Sequence, residues 1–358
     1  AAGGIGGLEI VLEVRDTAYS VDTHVQLYEE LKDQVVAFGH STGTPQTVAI
    51  NDQLRADGIF AVPLTWYSGW SDPAINASLI PHGVPYCIES MNVIGWLSDQ
   101  MGDAIATIAI ASTADDYGRD SAQGAKLAAE VLGLEVVYDG EGLVNAADEA
   151  TLAEVANGII GAAPDLVWLT TSPGAWSGIY GQTLAAGIQA VWSGAFPGWN
   201  PAFIAPDSPI AGAIERDVYI GLPVSTWGGD SAGAGAARDL IRAAAPDAPA
   251  FEYYFEGIVE ATIIAAALQA AYDAFDLTQA GVLAAAKSLE SVTFDGLAPD
   301  ETYVGDPNSR LQRKMFIAKP SQEDLLAGGS GLVEVESNYT HPIAQAFEFN
   351  EACFDIFG

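Results

Sequence analysis

The feature that most restricts this chain is a rhythm. From residue 21 to residue 192, short β-branched or apolar runs alternate with stretches carrying apolar residues at helical spacing. The spacing predicts a helix over Val21–Lys32 and a strand at Val35–Phe38. A helix at Pro45–Ala56, with proline in its first turn, and a strand at Ile59–Leu64 follow. After Cys87 the alternation resumes: helix Val93–Met101, strand Ala104–Ala111, helix Ser121–Val131 and strand Glu135–Tyr138. It runs on through helix Leu152–Ile160, strand Leu166–Thr170, helix Trp176–Ala186 and strand Ala190–Trp192. Such repeats build parallel sheets with helices on both faces. At 358 residues the chain also exceeds the size that one core fills, so two packed α/β units are expected.

Other segments are less regular. Leu8–Val14 (LEIVLEV) predicts a strand. Tyr253–Ser288 predicts a long helical region, apolar nearly all round and broken near Asp276, hence buried between other elements. Its most apolar run, Ala261–Tyr272, is shorter than a bilayer requires and follows Glu256 and Glu260. Lys314–Ala318 predicts a strand, and the rest is a polar, glycine-rich tail.

Charge narrows the partners. With 47 acidic against 13 basic side chains, the chain repels phosphate backbones and anionic lipid surfaces, which argues against nucleic-acid or membrane-surface binding. The carboxylates are spread out, which suits solubility more than an acidic tail. The two cysteines, Cys87 and Cys353, exclude a CxxC motif; they form one bridge in an oxidising compartment or remain two buried thiols. The histidines are isolated, so no metal site and no cofactor are expected.

One catalytic pattern is present. Gly39-His40-Ser41-Thr42-Gly43 fits G-x-S-x-G between a predicted strand and helix, the context of a nucleophile elbow. Little chain precedes Ser41 to supply an oxyanion loop. Downstream, His82 sits in a loop and His341 in the tail, so the serine-hydrolase reading is the weaker one. A different constellation carries more weight. The loops Gly39–Thr44, Thr65–Trp70, Asp115–Gly118, Thr170–Gly174 and Ser193–Trp199 each follow a predicted strand. Ligands of open parallel sheets bind at that end. Hydroxyls, free N–H groups and aromatic rings suit a small, partly apolar ligand.

These segments, in this order, resemble the type I periplasmic binding proteins of the leucine/isoleucine/valine class. The likeness runs from Ala1 to about Ala318. It rests on VVAFGHSTGTPQTVAI, IFAVPLTWYSGWSDP, ADDYGRDSAQGAKLAAEVLGLEVV and YYFEGIVEATIIAAAL. The resemblance implies two Rossmann-like lobes with parallel sheets joined by a three-strand hinge. Crossings are expected near Pro85–Ser90, Tyr219–Ser225 and Lys314–Lys319. Lobe one would comprise residues 1–88 plus 223–315, and lobe two 89–222 plus 316–358. Members of the class begin one βα unit earlier, so that unit and any leader are expected to be missing here. The implied function is non-enzymatic: a monomeric, periplasmic or extracellular receptor, free or lipid-anchored, hands a small molecule to the permease of an ABC importer. A ligand-sensing domain of the same fold is the alternative.

Carried over residue by residue, the ligand contacts fall on Thr42, Gly43, Thr44, Leu64, Thr65, Trp66 and Tyr67. Tyr117, Ser172 and Phe196 would contribute from the second lobe. Phe196 stands where amino-acid binders place the glutamate that holds an α-ammonium. Together with the rings Trp70, Trp176 and Trp199, this implies an aromatic or amide-type relative of an amino acid.

Overall fold

The computed structural model describes residues 4–355. The first alternation becomes α1 (Val21–Leu31), β1 (Ala37–Thr42), α2 (Thr44–Asp57) and β2 (Phe60–Leu64). Ser20 caps α1 by accepting the Thr23 N–H, and left-handed Gly58 ends α2. β1 and β2 pair in parallel, Ala37 opposite Phe60 and Thr42 opposite Leu64. Leu79 bridges Ala61 in the same sense on the far side of β2.

The second alternation gives α3 (Tyr86–Met101), β3 (Thr107–Thr113), α4 (Asp116–Leu132), β4 (Glu135–Val144) and α5 (Glu149–Ala162). It closes with β5 (Leu166–Thr170), α6 (Pro173–Ala185) and β6 (Val191–Ser193). These four strands form a parallel sheet in the order β4-β3-β5-β6. Side chains alternate across it: Ala109, Ala111, Val167 and Leu169 enter one apolar core, and Ile108, Ile110, Leu166 and Trp168 the other.

The rest comprises α7 (Ala211–Asp217), β7 (Ile220–Leu222), α8 (Ala232–Ala244), α9 (Tyr253–Asp273), α10 (Gln279–Lys287) and α11 (Pro307–Arg310). It ends with β8 (Met315–Pro320), α12 (Gln322–Leu326), β9 (Leu332–Tyr339) and α13 (Pro342–Ala346). β8 lies antiparallel between β7 and β9. α9 and α10 contact β1 and β2, while β7 and β8 share an apolar core with the four-stranded sheet. The segment from Pro81 to Pro85, bounded by two residues with no N–H to give a ladder, forms no strand.

Three expectations change. Leu8–Val14 forms no strand: Leu8, Val11, Leu12 and Val14 are 52, 72, 80 and 79% exposed. β-branched composition yields a strand only where a neighbour supplies a ladder and a packing face, and no described strand pairs with this segment. The tail contains β9, whose LVEVESNY alternation packs on β8. Finally, α9 is long and apolar enough by length and composition to cross a membrane, whereas its central run alone looked too short. It buries one stripe, Phe255, Glu256, Val259, Glu260, Ile263, Ala267 and Ala271, and leaves Ala261, Ala265 and Gln269 exposed. That is the face pattern of a core helix.

Cys87, in the first turn of α3, and Cys353 are joined in a disulfide. The segment ending the chain therefore reaches back to the 67–70 turn. There the Cys353 N–H donates to Ser68 Oγ at 2.8 Å and the Tyr67 hydroxyl to the Phe354 carbonyl at 2.6 Å.

Candidate functional site

The turns after β1 and β2 meet those after β3 and β6. Gly43 has φ +93°, and a Cβ there would lie 2.1 Å from Gln46 Oε1, so the turn into α2 requires glycine. It presents Thr44, in the first turn of α2, to Thr65, with the two side-chain oxygens hydrogen-bonded to one another. Trp66 follows. Its ring stands edge-on to Tyr86 and Phe196, with centroids 6.0 Å apart in both cases. Tyr86 meets Tyr117 at 4.8 Å, and Phe196 stacks on Tyr253 at 5.0 Å. Five rings from the β2 turn, the start of α3, the start of α4, the β6 turn and the start of α9 thus form one array.

Burial pushes the phenols of Tyr86, Tyr117 and Tyr253 up, so all three remain protonated donors at neutral pH. The Tyr117 hydroxyl points to the Thr171 carbonyl at 3.4 Å. Beneath the array lies Glu89 of α3, 2% exposed, whose Oε1 accepts the Phe196 N–H at 2.9 Å. Burial holds its carboxyl well above the usual range. The α9 stripe adds a buried ionisable row. His82 lies 3.5 Å from both Glu256 and Glu260, and the half-exposed His40 bonds Glu260 at 2.6 Å. Burial raises Glu256. Burial also opposes Glu260, but its His40 and His82 partners bring it below its ordinary value.

Of the sequence-predicted residues, Gly43, Thr44, Thr65, Trp66, Tyr117 and Phe196 belong to this region, and Leu64 ends the strand that leads into it. Thr42 sits opposite Leu64 and donates to the His40 carbonyl at 3.2 Å. Ser172 is exposed at the N-cap of α6, one residue after Thr171. Tyr67 packs on Trp70 instead, at 5.1 Å. Trp176 stacks with Tyr180 and Phe203, and Trp199 meets Phe203, so these two rings seal the second sheet's core. Sequence reasoning missed Tyr86, Tyr253 and Glu89. Each lies at or near a helix start, and Glu89 is the one charged residue in the helical stretch YCIESMNVIGW; these were the available signals.

The G-x-S-x-G pattern does not form an elbow. Ser41 lies within β1, 4% exposed, and the left-handed residue is His40. Ser41 Oγ is 3.2 Å from Nε2 of His24, an upstream histidine, and 2.9 Å from Thr47 Oγ1. His24 Nδ1 has no partner among the described residues, so no carboxylate orients the imidazole, and burial lowers its pKa. Cys87, Cys353 and Asp120 bring ligand-type atoms together, but both sulfurs are taken up by the disulfide.

Two α/β sheet groups with an aromatic array between their strand ends fit a solute-binding protein. The chain belongs to the periplasmic binding protein family, whose model matches residues 1–324. No curated protein sequence matches it. Among solved structures it is similar to a fatty acid ABC transporter substrate-binding protein from Thermomonospora curvata. Identity there is 24% and the TM-score 0.85, over 97% of this chain and 86% of that one. It also resembles a branched chain amino acid ABC transporter from Thermus thermophilus with bound valine, with 18% identity and TM-score 0.76 over 95% and 88%. An ABC transporter substrate-binding protein from Aeropyrum pernix gives 21% and 0.72 over 92% and 85%. At these identities the likeness establishes the fold.

Proposed function

We propose that this protein captures a small, largely apolar molecule between its two sheet groups and delivers it to the permease of an ABC importer, making and breaking no bond. The lobes are residues 1–88 plus 223–315 and 89–222 plus 316–358. Opening draws Thr44, Thr65 and Trp66 away from Tyr117 and Phe196. A ligand that touches both sets favours the closed form by its differential affinity. The observation that carries this reading is the ring array with Thr44 and Thr65 at one end: flat apolar walls and a few oriented hydroxyls. Ordered N–H groups at the start of α2 suit a carboxylate or amide oxygen.

The same array selects against ordinary α-amino acids. Phe196 brings no charge, and burial pushes the Glu89 carboxyl toward its neutral form while its Oε1 takes the Phe196 N–H. An ammonium would have to ionise Glu89 or stay unpaired, at a cost of a few kcal/mol. An aromatic or amide relative of an amino acid meets no such barrier, and the fatty-acid name of the Thermomonospora protein agrees with an apolar ligand body. The disulfide supports a periplasmic or extracellular location.

Calorimetry on the full chain tests this. Aromatic acids and amides are expected to bind, and Phe196→Glu is expected to bring in leucine. Tight leucine or valine binding by the unaltered protein, with amides inert, overturns it. The serine-hydrolase alternative makes its own forecast: fluorophosphonate labelling of Ser41, abolished in Ser41→Ala. Ser41 is expected to stay unlabelled.

A further inference from the structure

A cavity lies outside the array, on the first sheet's side. Its volume is about 270 Å³. Its walls are the 66–85 excursion after β2, the end of α10 and the 302–312 segment that leads into β8. Trp66 is the partition. Its ring faces Phe196 and Tyr86 on one side, while its Nε1 lies against Gly83, where a Cβ would sit 2.6 Å away.

The lining has an uneven chemistry. Trp66, Trp70 and Tyr303 are 4, 1 and 7% exposed, yet Trp66 Nε1, Trp70 Nε1 and the Tyr303 hydroxyl have no hydrogen-bond partner among the described residues. Buried donors are almost always satisfied, so three orphans around one cavity call for an acceptor. Arg310 Nε is a fourth orphan, and Lys287 lines the same space. In a chain of net charge −34, neither cation has a carboxylate within ion-pairing distance among the described residues. Lys287 donates to the Ala77 carbonyl. Burial, then the Arg310 charge, pushes its pKa down, which is the mark of two cations held near one another. One carboxylate, Asp72, also lines the cavity, and its Oδ1 accepts the Ala74 N–H. The adjacent Glu301, raised by burial to about 8 and accepting from the Gly83 N–H, is mostly neutral at pH 7. The remaining lining sets apolar Leu79, Ile80 and several prolines beside polar Ser71, Asn76, His82, Thr302 and Gln312.

We propose that this cavity is a second ligand site, for a small amphipathic anion whose acidic head meets Lys287 and Arg310 together with the unpartnered donors of Trp66, Trp70 and Tyr303, and whose apolar body lies against Leu79, Ile80 and the prolines. Its volume is just below the roughly 300–1,000 Å³ of drug-sized sites, so the body is a single ring or a short alkyl chain. This site shares only the Trp66 wall with the one between the lobes, which has no cation among its named residues.

The test uses the full chain with phenylacetate, hexanoate and the two corresponding amides, followed by calorimetry. The acids are expected to bind at least tenfold more tightly than their amides. Lys287→Gln, at an exposed position, and Arg310→Gln, at a half-buried one, are each expected to weaken the acids tenfold or more. Thr44→Val and Phe196→Ala are expected to leave this binding unchanged. Acids that bind no better than amides, or binding indifferent to Lys287→Gln and Arg310→Gln, overturn the proposal. Loss in Thr44→Val alone assigns the acids to the interlobe site and also overturns it. Failure of the interlobe reading shows separately, as amides that bind nowhere.

Discussion

Trp168 and Trp70 are equally deep and differently treated. Trp168, on β5 of the four-stranded sheet, is 0% exposed and its Nε1 donates to Ser121 Oγ at 2.9 Å. Trp70, in the turn after β2, is 1% exposed and its Nε1 has no partner among the described residues. The contrast extends to the two sheet groups. Among the described residues, unpartnered buried side-chain atoms are few in the four-stranded group, such as those of Ser98, Thr171 and Trp199. Around β1 and β2 they gather: His24, Gln46, Asn51, Gln53, Trp66, Trp70, Glu256 and Tyr303. One half is a satisfied core and the other holds unmet polar capacity, which costs stability unless a ligand meets it. The lesson is that the binding chemistry has been concentrated in the less settled half.

The largest expected effect tests the settled half. Trp168→Ala removes a ring packed between strands and strips Ser121 of a donor, so unfolding stability falls by about 3–5 kcal/mol. Trp70→Phe keeps an aromatic ring and abandons no hydrogen bond, so the loss is about 1 kcal/mol. Urea unfolding of both variants reads the difference. Equal losses would dissolve the comparison.

Next comes the clamp between the halves. Cys87–Cys353 closes a loop across 266 positions and pins the chain's end against the 67–70 turn. Opening it by Cys87→Ser with Cys353→Ser is expected to cost about 2–5 kcal/mol. Hydrogen exchange should quicken most around residues 67–72. Uniform quickening would mean that the bridge acts on the unfolded chain alone.

Protons sharpen the contrast further. Asp120, joining α4 to the Ser68 turn, is raised by burial from 3.8 to about 7, and Glu301 from 4.5 to about 8; Glu89 and Glu256 are also raised. A raised acid favours the fold fully below its ordinary pKa and loses that advantage as pH climbs through the folded value. Asp57, Asp165, Asp276 and Asp306 are lowered, so their contribution is lost only on falling below about pH 4. The melting temperature is therefore expected to be highest near pH 5 and to drop by several degrees by pH 8. Asp120→Asn should flatten the part of this slope below pH 7. A melting temperature that rises from pH 5 to 8 contradicts the assignment.

How much of this was legible follows the same division. The parallel strands and their order of appearance could be read from periodicity, because a buried parallel strand such as Leu166–Thr170 is written as a continuous apolar run. The break near Asp276 was equally plain. Thr44, Thr65 and Trp66 were readable as strand-end residues. What could not be read depended on distant partners. Tyr253 joins the array only because α9 returns to the first sheet, and Phe196 meets Glu89 across more than a hundred residues. LEIVLEV carries a strand's composition without a strand's neighbours, and the pairing of Cys87 with Cys353 needed the tail's path.

The smallest effect concerns that LEIVLEV segment, which lies against neither core. Residues 9–16 adopt no helix or strand, and Arg15 is tied there by side-chain bonds to Glu13 at 3.2 Å and Glu30 at 3.3 Å. Both pairs are exposed and screened by solvent, so they contribute too little to fix a backbone with no ladder. Local opening there should therefore need far less free energy than opening Arg119 or Lys126 on α4, whose helix packs against the four-stranded sheet. Brief trypsin treatment of the native protein is expected to cut after Arg15 first, leaving a fragment that still melts cooperatively. Removing the Glu30 tie with Glu30→Gln should speed the cut only slightly. First cleavage at Arg119 or Lys126 would show the four-stranded group to be the looser half and reverse the comparison.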